Sequence, residues 1–176
     1  MDWSPDGSTV ATAGGDAVKL WSPDSGEELY TLEDADVLHM RFSRDGRLLA
    51  TGGAQVRVWD VATGDEVANL AGHSGWAFAV GFNPDGSQLV SGGQDGLVKI
   101  WDIEGGVEIQ TLADHGSEVW GVAWSTDGSI ATVGRWGDVR IHSRDLDALE
   151  RAARDRVTRS LTGAECRQYL HLDACQ

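Results

Sequence analysis

Two lysines, a series of Asp-Gly turns and one Cys/His group are the residues of this chain whose types could do chemistry. Phosphate transfer needs a lysine placed after a glycine-rich loop, so that backbone amides cradle the phosphates while the ammonium reaches them. Lys19 and Lys99 instead lie inside the β-like runs AVKLW and LVKIWDI. ATP or GTP hydrolysis and phosphate transfer are therefore not expected, and the chain reads as a non-enzyme that needs no cofactor. The turn aspartates of PDGS-type segments offer oxygens suited to calcium, but they lack the spaced ligands and terminal Glu of a calcium loop. Tight hairpin turns are the expected reading. Cys166, His171 and Cys175 are zinc-ligand types, yet no fourth ligand is evident and the spacing is not a standard one, which favours ordinary helix packing. His39 and His142 fall in strand positions and read as core or sheet-face residues.

The elements that carry these residues repeat. The turn aspartates Asp6, Asp45, Asp85 and Asp127 stand 39, 40 and 42 residues apart. A period near ~40 residues marks a repeat architecture. The third copy is the fullest and breaks into four β-like runs, WAFAVGF, SQLVSGG, LVKIWDI and EIQTL, separated by Asp-Gly and Gly-Gly pairs. Such pairs punctuate hairpins, because glycine reaches positive φ without a Cβ clash. The expectation is an all-β chain of four-stranded antiparallel sheets.

Recurrent turns, strand patterns and strand-final tryptophans together make the chain resemble the WD-repeat β-propeller family, from about Trp3 to Ser143. The resemblance implies blades over residues 1–33, 34–71, 72–113 and 114–143, followed by a helical tail over 144–176. In family members a His, a Ser or Thr, a turn Asp and the strand-final Trp form a buried hydrogen-bonded chain, and His73, Ser91, Asp95 and Trp101 match it in full. The first copy has Thr12, Asp16 and Trp21 without the His. The second keeps Thr51 and Trp59 but has no turn Asp. The fourth keeps His115 and Thr132, with Trp136 at the Asp position and His142 at the Trp position. One intact network is expected, with blades two and four held mainly by apolar packing.

The resemblance also implies a partner-binding face. It maps onto Asp36 and Leu38 in the second copy, Trp76, Phe78 and Gln94 in the third, and Glu118, Trp120 and Arg135 in the fourth. Tryptophan and arginine suit interface anchors because they bury large area. Trp76 and Phe78 have a second reading, as packing between blades. The first copy has only a stub of its inner strand, and RDLDALERAARDRV stands where the fourth should have an outer strand. The chain is thus expected to be the last four blades of a larger propeller, prone to self-association through open blade edges.

Thr162 and Glu165 fit a helix capping box in the tail. The stretch RVTRSLTGAECRQYLHLDAC is similar to the tail of bacterial WD-repeat sensor proteins that carry a STAND-type NTPase, a kinase or another effector upstream. That likeness implies either an interaction module of a signalling protein or the regulatory fragment of such an enzyme. The chain has 14 basic and 28 acidic side chains, a formal charge of −14, and residues 143–176 balance at six arginines against six acids. The acidic excess therefore belongs to the repeats and repels phosphate backbones and anionic lipid, so a protein or peptide partner is expected, not nucleic acid or membrane. The start shows no basic-then-apolar signal and no apolar run approaches ~18 residues, which gives a cytoplasmic expectation.

Overall fold

The computed structural model describes residues 1–113 and 115–143. Their strands form four antiparallel sheets in chain order, each a blade of the expected kind. The first blade holds β1 (Asp2–Trp3), β2 (Val10–Gly14), β3 (Ala17–Trp21) and β4 (Glu28–Leu32); the second holds β5 (His39–Phe42), β6 (Leu48–Gly52), β7 (Val56–Asp60) and β8 (Glu66–Leu70). The third holds β9 (Ala77–Phe82), β10 (Gln88–Gly93), β11 (Leu97–Asp102) and β12 (Val107–Ala113). The fourth has three strands among the described residues, β13 (Val119–Trp124), β14 (Ile130–Gly134) and β15 (Val139–His142). The expected tail helix, with Thr162, Glu165, Cys166, His171 and Cys175, lies outside the described residues.

Each turn between the first two strands is built by its aspartate. Asp6 accepts from the Ser4 hydroxyl at 2.7 Å and the Ser8 N–H at 3.0 Å, which pulls its carboxyl down to about 2. Asp45, Asp85 and Asp127 accept the backbone N–H two residues on in the same way, at 3.1, 2.9 and 2.9 Å. The glycine after each aspartate has positive φ, 74–84° in the last three turns. These are Asx-type turns, in which a short carboxylate replaces a backbone acceptor.

Alternation along the strands gives every blade two apolar faces, and successive blades bury them against each other. Ala11, Val18, Leu20 and Leu32 of the first blade meet Met40, Phe42, Leu49 and Trp59 of the second. Ala50, Val56, Val58 and Leu70 meet Val80, Leu89 and Trp101 of the third, and Val90, Val98 and Ile100 meet Val119 and Ile130 of the fourth. In the fourth blade the equivalents of Val98 and Ile100 are Val139 and Ile141, and these are 65% and 66% exposed.

Candidate functional site

The third blade holds its indole and imidazole in one polar chain. The Trp101 Nε1–H donates to Ser91 Oγ at 2.8 Å, and Ser91 Oγ lies 2.7 Å from His73 Nε2. His73 Nδ1 is 3.0 Å from both Asp95 oxygens, and Asp95 also accepts the Ser74 and Leu97 N–H groups. Burial, opposed by Asp95, holds the His73 pKa below its ordinary value, so the ring is neutral. A neutral ring bonded to a carboxylate through Nδ1–H leaves Nε2 to accept the Ser91 hydroxyl proton. Gly93 permits this arrangement, because a Cβ there would stand 2.5 Å from His73 Nδ1.

An Asp–His–Ser set with this spacing has the geometry of an activated nucleophile. Ser91 is 0% exposed, however, and its oxygen already receives the Trp101 indole. No substrate carbonyl can reach it, so the set is structural.

The other blades depart from the expected single network. In the second blade Asp34 takes the histidine's part: the Thr51 hydroxyl donates to it, and the Trp59 Nε1–H donates to Thr51 at 3.1 Å. Burial pushes the Asp34 pKa up, against the Thr51 bond and the Arg57 guanidinium 3.6 Å away. In the fourth blade Asp138, two residues past the expected position, bonds His115 Nδ1, while His115 Nε2 meets Thr132 at 2.7 Å. Trp136, expected in the Asp position, is 79% exposed. The expectation of one network alone is therefore corrected: both blades also hold a polar chain of altered composition, around the buried Thr51 and Thr132. In the first blade only the Trp21–Thr12 bond remains, at 2.8 Å.

The two lysines also have structural partners. Lys19 pairs with Glu28 at 2.5 Å and Lys99 with Glu108 at 2.7 Å, and Arg57 stands 3.6 Å from Glu66 in the equivalent place. Each cation also lies 5.6–5.9 Å from the ring centre of the tryptophan two residues on.

The eight residues assigned to the binding face occupy equivalent places at one end of the inner strands. Gln94 N–H donates to the Trp76 carbonyl at 2.8 Å, and Arg135 N–H to the Glu118 carbonyl at 2.9 Å. Asp36 has φ 61° and its carbonyl abuts Gly53 in the matching turn of the second blade. Leu38 is 55% exposed, Trp120 is 56% exposed, and Trp76 and Phe78 are half-buried. The structure gathers four of the eight. Phe78, Glu118, Trp120 and Arg135 line one pocket of about 460 Å³, where Arg135 Nη1 is 3.0 Å from a Glu118 oxygen. That volume lies within the ~300–1,000 Å³ range of ligand pockets. Asp36, Leu38, Trp76 and Gln94 do not line it.

Comparison with known proteins gives a match to the family "WD domain, G-beta repeat" over residues 1–22, 26–60, 64–102 and 106–143. The chain is similar to the "U3 snoRNP-associated protein-like EMB2271" of Arabidopsis thaliana, 38% identical over 40% of this chain and 15% of that protein. It is similar to the "Small ribosomal subunit protein RACK1" of Caenorhabditis elegans, 32% identical over 54% of this chain and 33% of that protein. Among solved structures, a chain of the "Mitotic Checkpoint Complex" superposes with a TM-score of 0.73 at 31% identity, covering 81% of this chain and 45% of that one. The chain thus spans less than half the length of each of these proteins.

Proposed function

The chain belongs to the WD domain, G-beta repeat family, and on that premise we propose that it binds a protein or peptide through the pocket around Trp120. Propellers of this family generally serve as non-catalytic interaction scaffolds. The observation that carries the reading is an exposed indole beside a phenyl ring and an ion pair. Trp120 is 56% exposed, whereas the strand-final tryptophans Trp59 and Trp101 of the second and third blades are exposed to only 5% and 1%. Half-covered aromatics flanked by a Glu–Arg pair supply area for an apolar anchor and polar groups to fix its orientation. Asp36, Leu38, Trp76 and Gln94 extend the same face toward the second and third blades, as a rim for a longer partner.

Selection of displayed random peptides on the full chain, with counter-selection on Trp120→Ala, tests this. Enrichment of sequences that the variant does not retain supports the proposal; enrichment of the same sequences on both proteins refutes it. A finer part of the proposal is a cytoplasmic sensor role as the C-terminal portion of a bacterial signalling protein. It rests on the tail sequence over 156–175 alone, since the relatives named above come from a plant and a nematode.

A further inference from the structure

The opposite ends of the inner strands carry a second feature. A cleft of about 420 Å³ lies among the ends of β5, β9 and β13, bordered by Arg41, Arg44, Phe82, Trp124 and Thr126. Among the described residues no acidic side chain lines it, although the chain carries 28 acids against 14 bases. The innermost strands are sheet edges, so every second backbone N–H points out of its blade toward the next blade back. The first two blade junctions show how those amides are met. Phe42 N–H donates to Asp2 Oδ2 at 3.0 Å, and Val80 N–H to His39 Nδ1 at 3.3 Å.

Asp2 stands four residues before its turn aspartate, and the same position in the second, third and fourth blades holds Arg41, Gly81 and Ala123. Asp2 therefore displays how a carboxylate sits at such an edge: one oxygen on the amide, the other 3.7 Å from Arg41 Nη1. Asn83 N–H pairs inward with Gln88, so alternation turns the Phe82 N–H outward, as it does for Phe42. Arg41 lines the same cleft, and it has donors and no acceptor. An outward amide and two arginines, Arg41 and Arg44, on one cleft call for an anion. Gly81 also lines the cleft, and a Cβ there would make only ordinary contacts, with Val122 and Val90 at 3.7 Å.

We infer that this cleft binds a carboxylate side chain of an acidic partner segment, held by Arg41, Arg44 and the outward Phe82 amide. Phe82, Trp124 and Pro84 offer apolar walls for the residues flanking the acid. The site is separate from the Trp120 pocket and stands or falls independently of it.

The test uses the full chain and a fluorescein-labelled peptide of sequence Gly-Glu-Leu-Glu-Gly, with its Gln counterpart and inorganic phosphate as the other arms. Gly81→Asp adds a carboxylate to the lining of the cleft and should weaken the Glu peptide about tenfold or more. Gly81→Ala should stay within about twofold, because its Cβ makes only ordinary contacts. Arg44→Gln, at an exposed position, should weaken binding about fivefold or more without moving the melting temperature. Binding of the Gln peptide as strong as the Glu peptide overturns the inference, as does indifference to both Gly81→Asp and Arg44→Gln. Displacement of the peptide by an equal concentration of phosphate overturns the peptide assignment in favour of a general anion site.

Discussion

Replacing Ser91 by Ala removes one oxygen and strands two groups. The Trp101 indole N–H loses its acceptor at 2.8 Å, and His73 Nε2 loses its hydroxyl partner at 2.7 Å. Trp101 is 1% exposed and Ser91 0%, so water cannot take the place of the lost oxygen. An unsatisfied buried polar group costs about 1–3 kcal/mol, and two such groups on one atom give about 2–4 kcal/mol. For a chain of this size that lowers the melting temperature by about 5–15 °C. Thr12→Ala in the first blade is the control. It removes the acceptor of the Trp21 indole, but Trp21 is half-buried and water can replace the hydroxyl. Its expected cost is about 1 kcal/mol or less. Urea unfolding of both variants, with midpoints compared at equal slope, measures the difference. Equal losses for the two substitutions would refute the claim that the buried relay of the third blade carries stability.

Acidification below about pH 6.5 should destabilise the chain through its buried histidines. His73 is held below its ordinary pKa of 6.5 by burial against the pull of Asp95, and His39 by burial and by Arg41. Near pH 6.5 the unfolded chain therefore binds protons that the folded chain refuses. Stability is full above about pH 6.5 and declines as pH falls through the folded-state values, by at most about 1.4 kcal/mol per pH unit for each histidine. Urea midpoints between pH 7.5 and 5 read the slope, and a His39→Gln, His73→Gln double variant that keeps it would contradict the assignment. Self-association is expected through the open face of the fourth blade, where Val139 and Ile141 are exposed. Val139→Lys with Ile141→Lys should shift light scattering toward the monomer at unchanged melting temperature; unchanged association would place the contact elsewhere.

The blades and their turns were legible because their causes are local. An aspartate and a glycine side by side fix a turn within a few residues, and alternation within a strand sorts its two faces. The polar chain of the third blade was legible for the same reason, since its members keep the family's spacing. The second and fourth blades were not, because the partner shifts by one or two residues and only folding shows which side chain arrives. Asp138 sits two places after the position that Trp136 fills, and the β14–β15 turn brings it, not Trp136, to His115. Asp34 occupies the strand approach one residue after the histidine position and reaches Thr51 across 17 residues of sequence. The cleft of Arg41 and Arg44 had no local signal either. It arises from three inner strands set about one repeat apart in sequence.

Calorimetric titration of a selected peptide against the chain, Trp120→Ala and Gly81→Asp tests the central claim most directly. Loss of an exposed anchor at the heart of an interface costs about 2 kcal/mol, or about 30-fold in affinity. The account predicts that loss for Trp120→Ala at an unchanged melting temperature, with Gly81→Asp binding as tightly as the unmodified chain. A peptide that binds the chain and Trp120→Ala equally well would contradict it.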